Sequence, residues 1–199
     1  MDILLATRNP GKITELRQLI GEIPVNLRGL DEFPELSDVE ETGTTFVENA
    51  RLKASEYAKR TGLFALADDS GLEVLALNNA PGVFSARYGG ANSSYAAKIS
   101  KLLKEVNASE NTSRQARFRC VMAFSDRSGN ILTTTEGICA GQIAETPAGE
   151  NGFGYDPVFI PNGFEETFGE LSEAIKQSIS HRAQAVSKII DYLRAFTSI

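Results

Sequence analysis

Net positive charge is what this chain most plainly lacks. Its 20 Lys and Arg face 26 Asp and Glu, a formal charge of −6. Proteins hold duplex nucleic acid through basic patches that displace counterions, so no nucleic-acid partner is expected. A small polyanion stays open as a ligand, because one lysine and a metal ion can reverse the sign of a site locally. Cysteine is confined to Cys120 and Cys139, both inside apolar or alternating runs. They read as small buried thiols, not as a disulfide framework, and neither has a Cys or His at zinc-ligand spacing. No stretch approaches the roughly 18 apolar residues of a membrane span, so no membrane partner is expected. The start, Met1-Asp2-Ile3-Leu4-Leu5, has no basic region followed by a long apolar core, and a cytoplasmic location is the expectation. Internal repeats, low-complexity tracts and linkers are missing too. So are G-x-x-x-x-G-K and G-x-G-x-x-G, which removes a P-loop and weakens a dinucleotide-binding reading.

What is present suits an ordinary globular protein. The 199 residues, 42% of them hydrophobic, are enough for one substantial domain with a real core. Residues 2–6 read as a buried strand, and 12–21 as a helix with Ile13, Leu16, Leu19 and Ile20 on one face and Gly21 as its stop. Residues 28–43 are polar and irregular. Thr45 with Glu48 forms a capping box for a helix over about 45–60, striped by Phe46, Ala50, Ala54, Tyr57 and Ala58. Short buried strands are expected at 64–67 and 72–77, then a Gly- and Pro-bearing loop over 78–92. Ser94 caps a helix at about 95–106 with Ala97, Leu102 and Leu103 inward. Strands at 115–126 and 131–144 flank the turn Asp126-Arg127-Ser128-Gly129-Asn130, a hairpin signal. A Gly-rich stretch, a strand at 156–160 and helices at about 170–177 and 181–196 complete the chain. Alternating strands and helices with a hairpin in the middle predict an α/β fold with a mixed sheet. A cleft between sheet and helices is the expected place for a site.

Several separated segments suit a nucleotide. Thr7-Arg8-Asn9-Pro10-Gly11-Lys12 joins a strand to a helix N-terminus, where unpaired N–H groups and the helix dipole attract phosphate. The plainer alternative is an ordinary Asn-Pro-Gly turn with a solvated lysine. Asp68-Asp69 ends an apolar run and Ser70-Gly71 turns the chain. Neighbouring strand residues point to opposite faces, so one carboxylate can face a cleft while the other caps the turn. A magnesium ion in nucleotide chemistry takes one or two protein carboxylates, with phosphate oxygens and waters completing its shell. Glu40 or Glu41 can supply the second acid; dipole complementation is the alternative for that pair. A carboxylate beside the metal can also orient the attacking water. His181, the single histidine, and Arg182 stand in the first turn of the last helix. Cations there oppose the dipole and therefore have another reason to be present. Both can donate to the exocyclic oxygens of a purine, while Phe153 can stack on a base and Asp156 hydrogen-bond it; a structural histidine and a glycine-rich bend are the alternatives. A nucleotide sensor without hydrolysis is the competing function, and Asp68-Asp69 beside Ser70 speaks against it.

Taken in order, Leu5 through Lys12, Glu40-Glu41-Thr42-Gly43 with Phe46, Glu48-Asn49-Ala50 and Lys53-Ala54, Ala67 through Leu72, Ala80 through Tyr88, Gly152 through Pro157 and Ile179 through Arg182 resemble the inosine triphosphate pyrophosphatase (Ham1-type) family over nearly the whole chain. The resemblance implies one domain over 1–199, built on a long twisted mixed sheet with flanking helices that form two lobes around a deep cleft, and a homodimer. It implies Mg²⁺-dependent attack of water on a purine nucleoside triphosphate (ITP, dITP or XTP), giving the monophosphate and pyrophosphate and cleansing the nucleotide pool. Thr7, Arg8, Asn9, Pro10, Gly11 and Lys12 would cradle the phosphates, with no individual role for Arg8. Asp69 would be general base and metal ligand, Glu40 the second metal acid, and Ser70 a substrate contact. Phe153, Gly154, Tyr155, Asp156, Lys176, His181 and Arg182 would line the nucleotide pocket. Donors facing a 6-oxo acceptor would be left unpaired by adenine, at about 1–3 kcal/mol each.

Overall fold

The computed structural model describes residues 1–21, 23–90 and 92–197. Its strands are β1 (Asp2–Leu5), β2 (Asn26–Gly29), β3 (Phe64–Val74), β4 (Gln115–Ser125), β5 (Ile131–Ile143) and β6 (Phe159–Pro161). They form one sheet in the order β2-β1-β3-β4-β5-β6. β1 pairs in parallel with β2 and with β3, and β5 pairs antiparallel with β6. The helices are α1 (Pro10–Ile20), α2 (Phe46–Thr61), α3 (Tyr95–Ala108), α4 (Glu173–Ile179) and α5 (His181–Thr197). The α/β class with a mixed sheet is therefore what the sequence predicts.

The chain divides into two compact units, and β3, β4 and β5 contribute residues to both. The first holds Met1–Asp69, Cys120–Gly137 and Arg182–Ile199; the second holds Ser70–Arg119 and Ile138–His181. In the first unit the core gathers Ile3 and Leu5 of β1, Leu66 of β3 and Cys120, Met122 and Phe124 of β4. Leu16 and Ile20 of α1, and Val186, Ile189 and Leu193 of α5, pack with them. The residues of β3 and β4 that enter this core alternate along the strand, as the two-residue period of a β-strand requires. The second unit has its own core of Leu72, Val74, Ile99, Leu102, Phe118, Phe159 and Phe168 among others.

Local chemistry explains most boundaries. Thr45 accepts the Glu48 N–H, the Glu48 carboxylate accepts the Thr45 N–H in return, and Gly62 closes α2 in the left-handed conformation at φ 69°. The 126–130 turn closes with Asp126 accepting from Ser128 and Asn130 backbone N–H groups. Five expectations need correction. Ser70-Gly71 does not turn the chain: β3 runs unbroken through it, packed so that every residue between Ala65 and Val74 except Ser70 is buried. Residues 75–77 form a 3₁₀ turn, not the end of a strand. β2 falls partly in the stretch read as irregular, because a four-residue strand, Asn-Leu-Arg-Gly, carries almost no apolar signal. Pro157, which lacks an N–H, stands in a 3₁₀ turn over Asp156–Val158, so the strand expected at 156–160 begins at Phe159. On α3 Lys98, Ile99, Leu102 and Val106 are buried and Leu103 packs half-buried against the same core, whereas Ala97 is on the exposed side.

Both cysteines are buried and unbridged. Burial pushes the Cys120 thiol up to about 12, aided by the nearby Asp68 charge, and the Cys139 thiol up to about 11. The thiolate is the reactive form. A thiol-exchange titration of the native protein near neutral pH is thus expected to find almost no reactive cysteine, and both after denaturant is added; rapid native labelling would contradict that burial. Among the described residues no helix is long and apolar enough to cross a membrane.

Candidate active site

The first unit concentrates charge around two adjacent aspartates of β3. Asp68 is fully buried and takes Lys12 Nζ at 3.0 Å and Arg182 Nη2 at 3.4 Å on its Oδ2. Arg182, 2% exposed, also pairs with Glu15 of α1. Burial alone would raise the Asp68 carboxyl, but Lys12, Arg182 and Lys53 together hold it well below the usual carboxylate range. Asp69 has the opposite balance. Burial pushes its carboxyl up, and Lys53 and Lys12 only partly offset that. Asp69 Oδ1 receives Lys53 Nζ at 3.4 Å, and the same ammonium lies 2.6 Å from Glu41 Oε1. The pairings are those of a strand that alternates faces: Asp68 meets α1 and α5, and Asp69 meets α2.

The turn before α1 uses its polar side chains on itself. Thr7 Oγ1 accepts the Asn9 N–H and Asn9 Oδ1 caps the Lys12 N–H, with Pro10 opening the helix. Lys12 leaves the turn to reach Asp68. Arg8 donates to Asp38 and to the Leu36 carbonyl. Glu40 is exposed, whereas Glu41 shares the Lys53 ammonium with Asp69. For the post of second acid beside Asp69 the geometry favours Glu41 over Glu40.

Lys53 and Asn49 are the residues to which sequence reasoning gave no role. They lie on the buried stripe of α2 with Phe46, Ala50, Ala54 and Tyr57. A lysine and an asparagine at helical spacing inside an apolar stripe is a readable signal, because buried polar side chains need partners. Asn49 Oδ1 accepts the Gly43 N–H at 2.8 Å. That contact requires glycine, since a Cβ at residue 43 would stand 2.6 Å from Asn49 Oδ1.

The second unit holds the other group. Asp156, buried, accepts the Phe153 N–H at 2.7 Å and Lys176 Nζ at 2.6 Å on the same oxygen. The Lys176 ammonium lies 4.8 Å from the centre of the Phe153 ring. Gly152 and Gly154 flank Phe153 at φ 72° and 70°, a conformation that suits glycine. Tyr155 donates its hydroxyl to the Ser85 carbonyl at 3.0 Å, and desolvation raises its pKa. His181 is buried and stacks on Phe118, ring centres 4.8 Å apart. Ser70 is half-buried on β3. A pocket of about 550 Å³ lies between Tyr95, Ile99 and Leu103 of α3 and the 147–154 loop with Phe153. The structure thus gathers Lys12, Asp68, Asp69 and Arg182 in one group, and Phe153, Asp156 and Lys176 in another.

Among the described residues no set of three or more His, Cys, Asp or Glu side chains forms a ready-made metal cage. Magnesium does not need one; it binds through one or two carboxylates plus phosphate oxygens and water. Asp69 Oδ2 fits that mode: it is a hard oxygen, buried, with no hydrogen-bond partner among the described residues.

Comparison with known proteins gives the group a family. The Ham1 family model matches residues 3–192. The dITP/XTP pyrophosphatase of Bacillus subtilis is 43% identical over 194 residues, 98% of either chain. That of Coxiella burnetii is 44% identical over 190 residues, 95% of this chain and 94% of its own. A solved HAM1 protein from Coxiella burnetii superposes with a TM-score of 0.91 at 43% identity, covering 98% of this chain and 99% of that one. The nucleoside-triphosphatase / dITP/XTP pyrophosphatase of Mycobacterium abscessus gives 0.78 at 43% identity, covering 95% and 98%. The chain belongs to the Ham1 family.

Proposed function

We propose that this chain is a Mg²⁺-dependent pyrophosphohydrolase of deaminated purine nucleoside triphosphates. It splits ITP, dITP and XTP into the monophosphate and pyrophosphate, and so cleanses the nucleotide pool. The observation that carries this reading is Asp69: a buried carboxylate with one uncommitted oxygen and a raised pKa, beside the ammonium groups of Lys53 and Lys12. Relatives that align over 94% or more of their own length and are named dITP/XTP pyrophosphatases support it.

Each residue then has a task. Lys12, Lys53 and the positive end of the α1 dipole offset the charge of the phosphates. Asp69, more basic than an ordinary aspartate, takes a proton from the attacking water. Asp69 and Glu41 would hold the magnesium ion, which when bound supplies further positive charge to the phosphate oxygens. Phe153 offers a face for stacking, and Lys176 and His181 offer donors to a 6-oxo purine, whereas adenine presents a donor there. The same reading carries a cytoplasmic homodimer, which light scattering of the purified protein would test.

The direct test incubates the protein with ITP and Mg²⁺ and identifies the products. Equal amounts of IMP and pyrophosphate are expected, with turnover abolished by a chelator and ITP, dITP and XTP preferred over ATP and GTP. Orthophosphate with IDP would refute the reaction.

A further inference from the structure

Phe153 stands on a turn with little of its own to fix it. Gly152 and Gly154 flank it at φ 72° and 70°, and glycine has the most conformational freedom to lose. One side of the turn is held by Asp156, whose carboxylate accepts the Phe153 N–H at 2.7 Å and the Lys176 ammonium at 2.6 Å. At Gly154 the turn meets α3. A Cβ on Gly154 would stand 3.5 Å from Tyr95 Cε1, so the Tyr95 ring lies in van der Waals reach of the face that glycine leaves bare. The same ring meets Tyr155 edge-on, with centroids 5.7 Å apart and planes at 88°, an arrangement that aromatic quadrupoles favour. Tyr95 is itself held. It opens α3 directly after the Ser94 cap, and the Lys98 ammonium lies 4.6 Å from its ring centre. Lys98 is 4% exposed, and a cation–π contact strengthens when it is desolvated. The cavity of about 550 Å³ between α3 and the 147–154 loop is lined by both Tyr95 and Phe153, so the turn has room to shift if the ring is removed.

We infer that Tyr95 is a positioning residue for nucleotide binding, its ring holding the Gly152–Tyr155 turn so that Phe153 offers its face to the purine in one fixed direction. This rests on the pyrophosphohydrolase reading given above, in which Phe153 stacks on the base and Lys176 donates to it. Tyr95 acts through Gly154 and Tyr155. Its support comes from the first turn of a 14-residue helix, and a helix holds a group more precisely than a loop can. The contribution is to binding of the base, which the bound nucleotide and the transition state share, and not to events at the phosphates. An interaction of that kind shows in KM and leaves kcat unchanged.

Two variants separate this role from a merely structural one. Both are assayed with ITP and Mg²⁺ beside the wild type, once a thermal melt has confirmed that they are folded. Tyr95→Ala removes the ring, and KM for ITP is expected to rise about tenfold, the scale of one aromatic contact, with kcat within about twofold of wild type. Tyr95→Phe keeps the ring, and its KM is expected to stay within about twofold of wild type. Should Tyr95→Ala fail to fold, Tyr95→Leu, which fills the space without an aromatic edge, carries the same expectation. Wild-type KM in Tyr95→Ala, a fall in kcat at unchanged KM, or a KM in Tyr95→Phe as high as in Tyr95→Ala would each overturn the positioning role. A wild type that releases no pyrophosphate from ITP would instead overturn the underlying reaction, so the two failures are distinguishable.

Discussion

Asp69→Asn is expected to lower kcat on ITP by about 10²–10⁴, the contribution of a positioned general base, while the protein keeps its fold. Asn matches Asp in shape but accepts no proton at neutral pH. The stability side of the prediction follows from the raised pKa. Burial disfavours the charged form of Asp69 more than Lys53 and Lys12 favour it, so a neutral residue removes an unfavourable buried charge. Lys53 does not become an orphan in that variant, because Glu41 remains 2.6 Å from its ammonium. Pyrophosphate release and a thermal melt on the same preparation check both halves. Turnover within about threefold of wild type would remove Asp69 from the role of base. A collapse of the melting temperature would show that the Lys53–Asp69 contact is structural in the first place.

The parts of this molecule that were legible in advance are those whose cause is local. The Thr45–Glu48 capping box, the five-residue turn at Asp126–Asn130 and the apolar stripe of α2 each depend on residues a few positions apart, and the structure has all three. β3 departs from its local signal because its cause is not local. Ser70-Gly71 carries a turn signal that outweighs what cannot be seen locally, namely that the strand is packed almost throughout. The charge groups show a second limit. The two aspartates were expected on opposite faces, and Asp68 and Asp69 do meet different helices. What each meets was not readable, since Arg182 pairs with residues 167 and 114 positions away. Asn49 and Lys53 carry a local signal of their own: helical spacing puts them on the buried stripe of α2, where a polar side chain needs a partner. Arg182 shows the value of a physical misfit. A cation in the first turn of a helix opposes the dipole and so demanded an explanation, and two carboxylates supply one that a base contact alone did not.

That arrangement gives the second large effect, on stability. Arg182→Met keeps much of the side-chain volume but leaves Asp68, fully buried, and Glu15 without their shared guanidinium. Removing one partner of a buried ion pair typically costs about 3–5 kcal/mol, because the remaining charge stays desolvated. For a chain of this size that corresponds to a fall of roughly 10 °C in Tm. Lys12 still faces Asp68 at 3.0 Å, so the loss should lie nearer the lower figure. The double variant Arg182→Met with Asp68→Asn removes the stranded charge as well, and it is expected to recover a substantial part of the lost Tm. Acid sensitivity gives an independent check. The folded-state pKa of Asp68 is depressed, so its contribution is complete above the ordinary aspartate value of 3.8 and is lost as pH falls below it. Arg182 supplies part of that depression, so Arg182→Met should flatten the loss of stability between neutral and strongly acidic pH relative to wild type. Equal melting temperatures for wild type and Arg182→Met near neutral pH would refute the keystone role of the guanidinium.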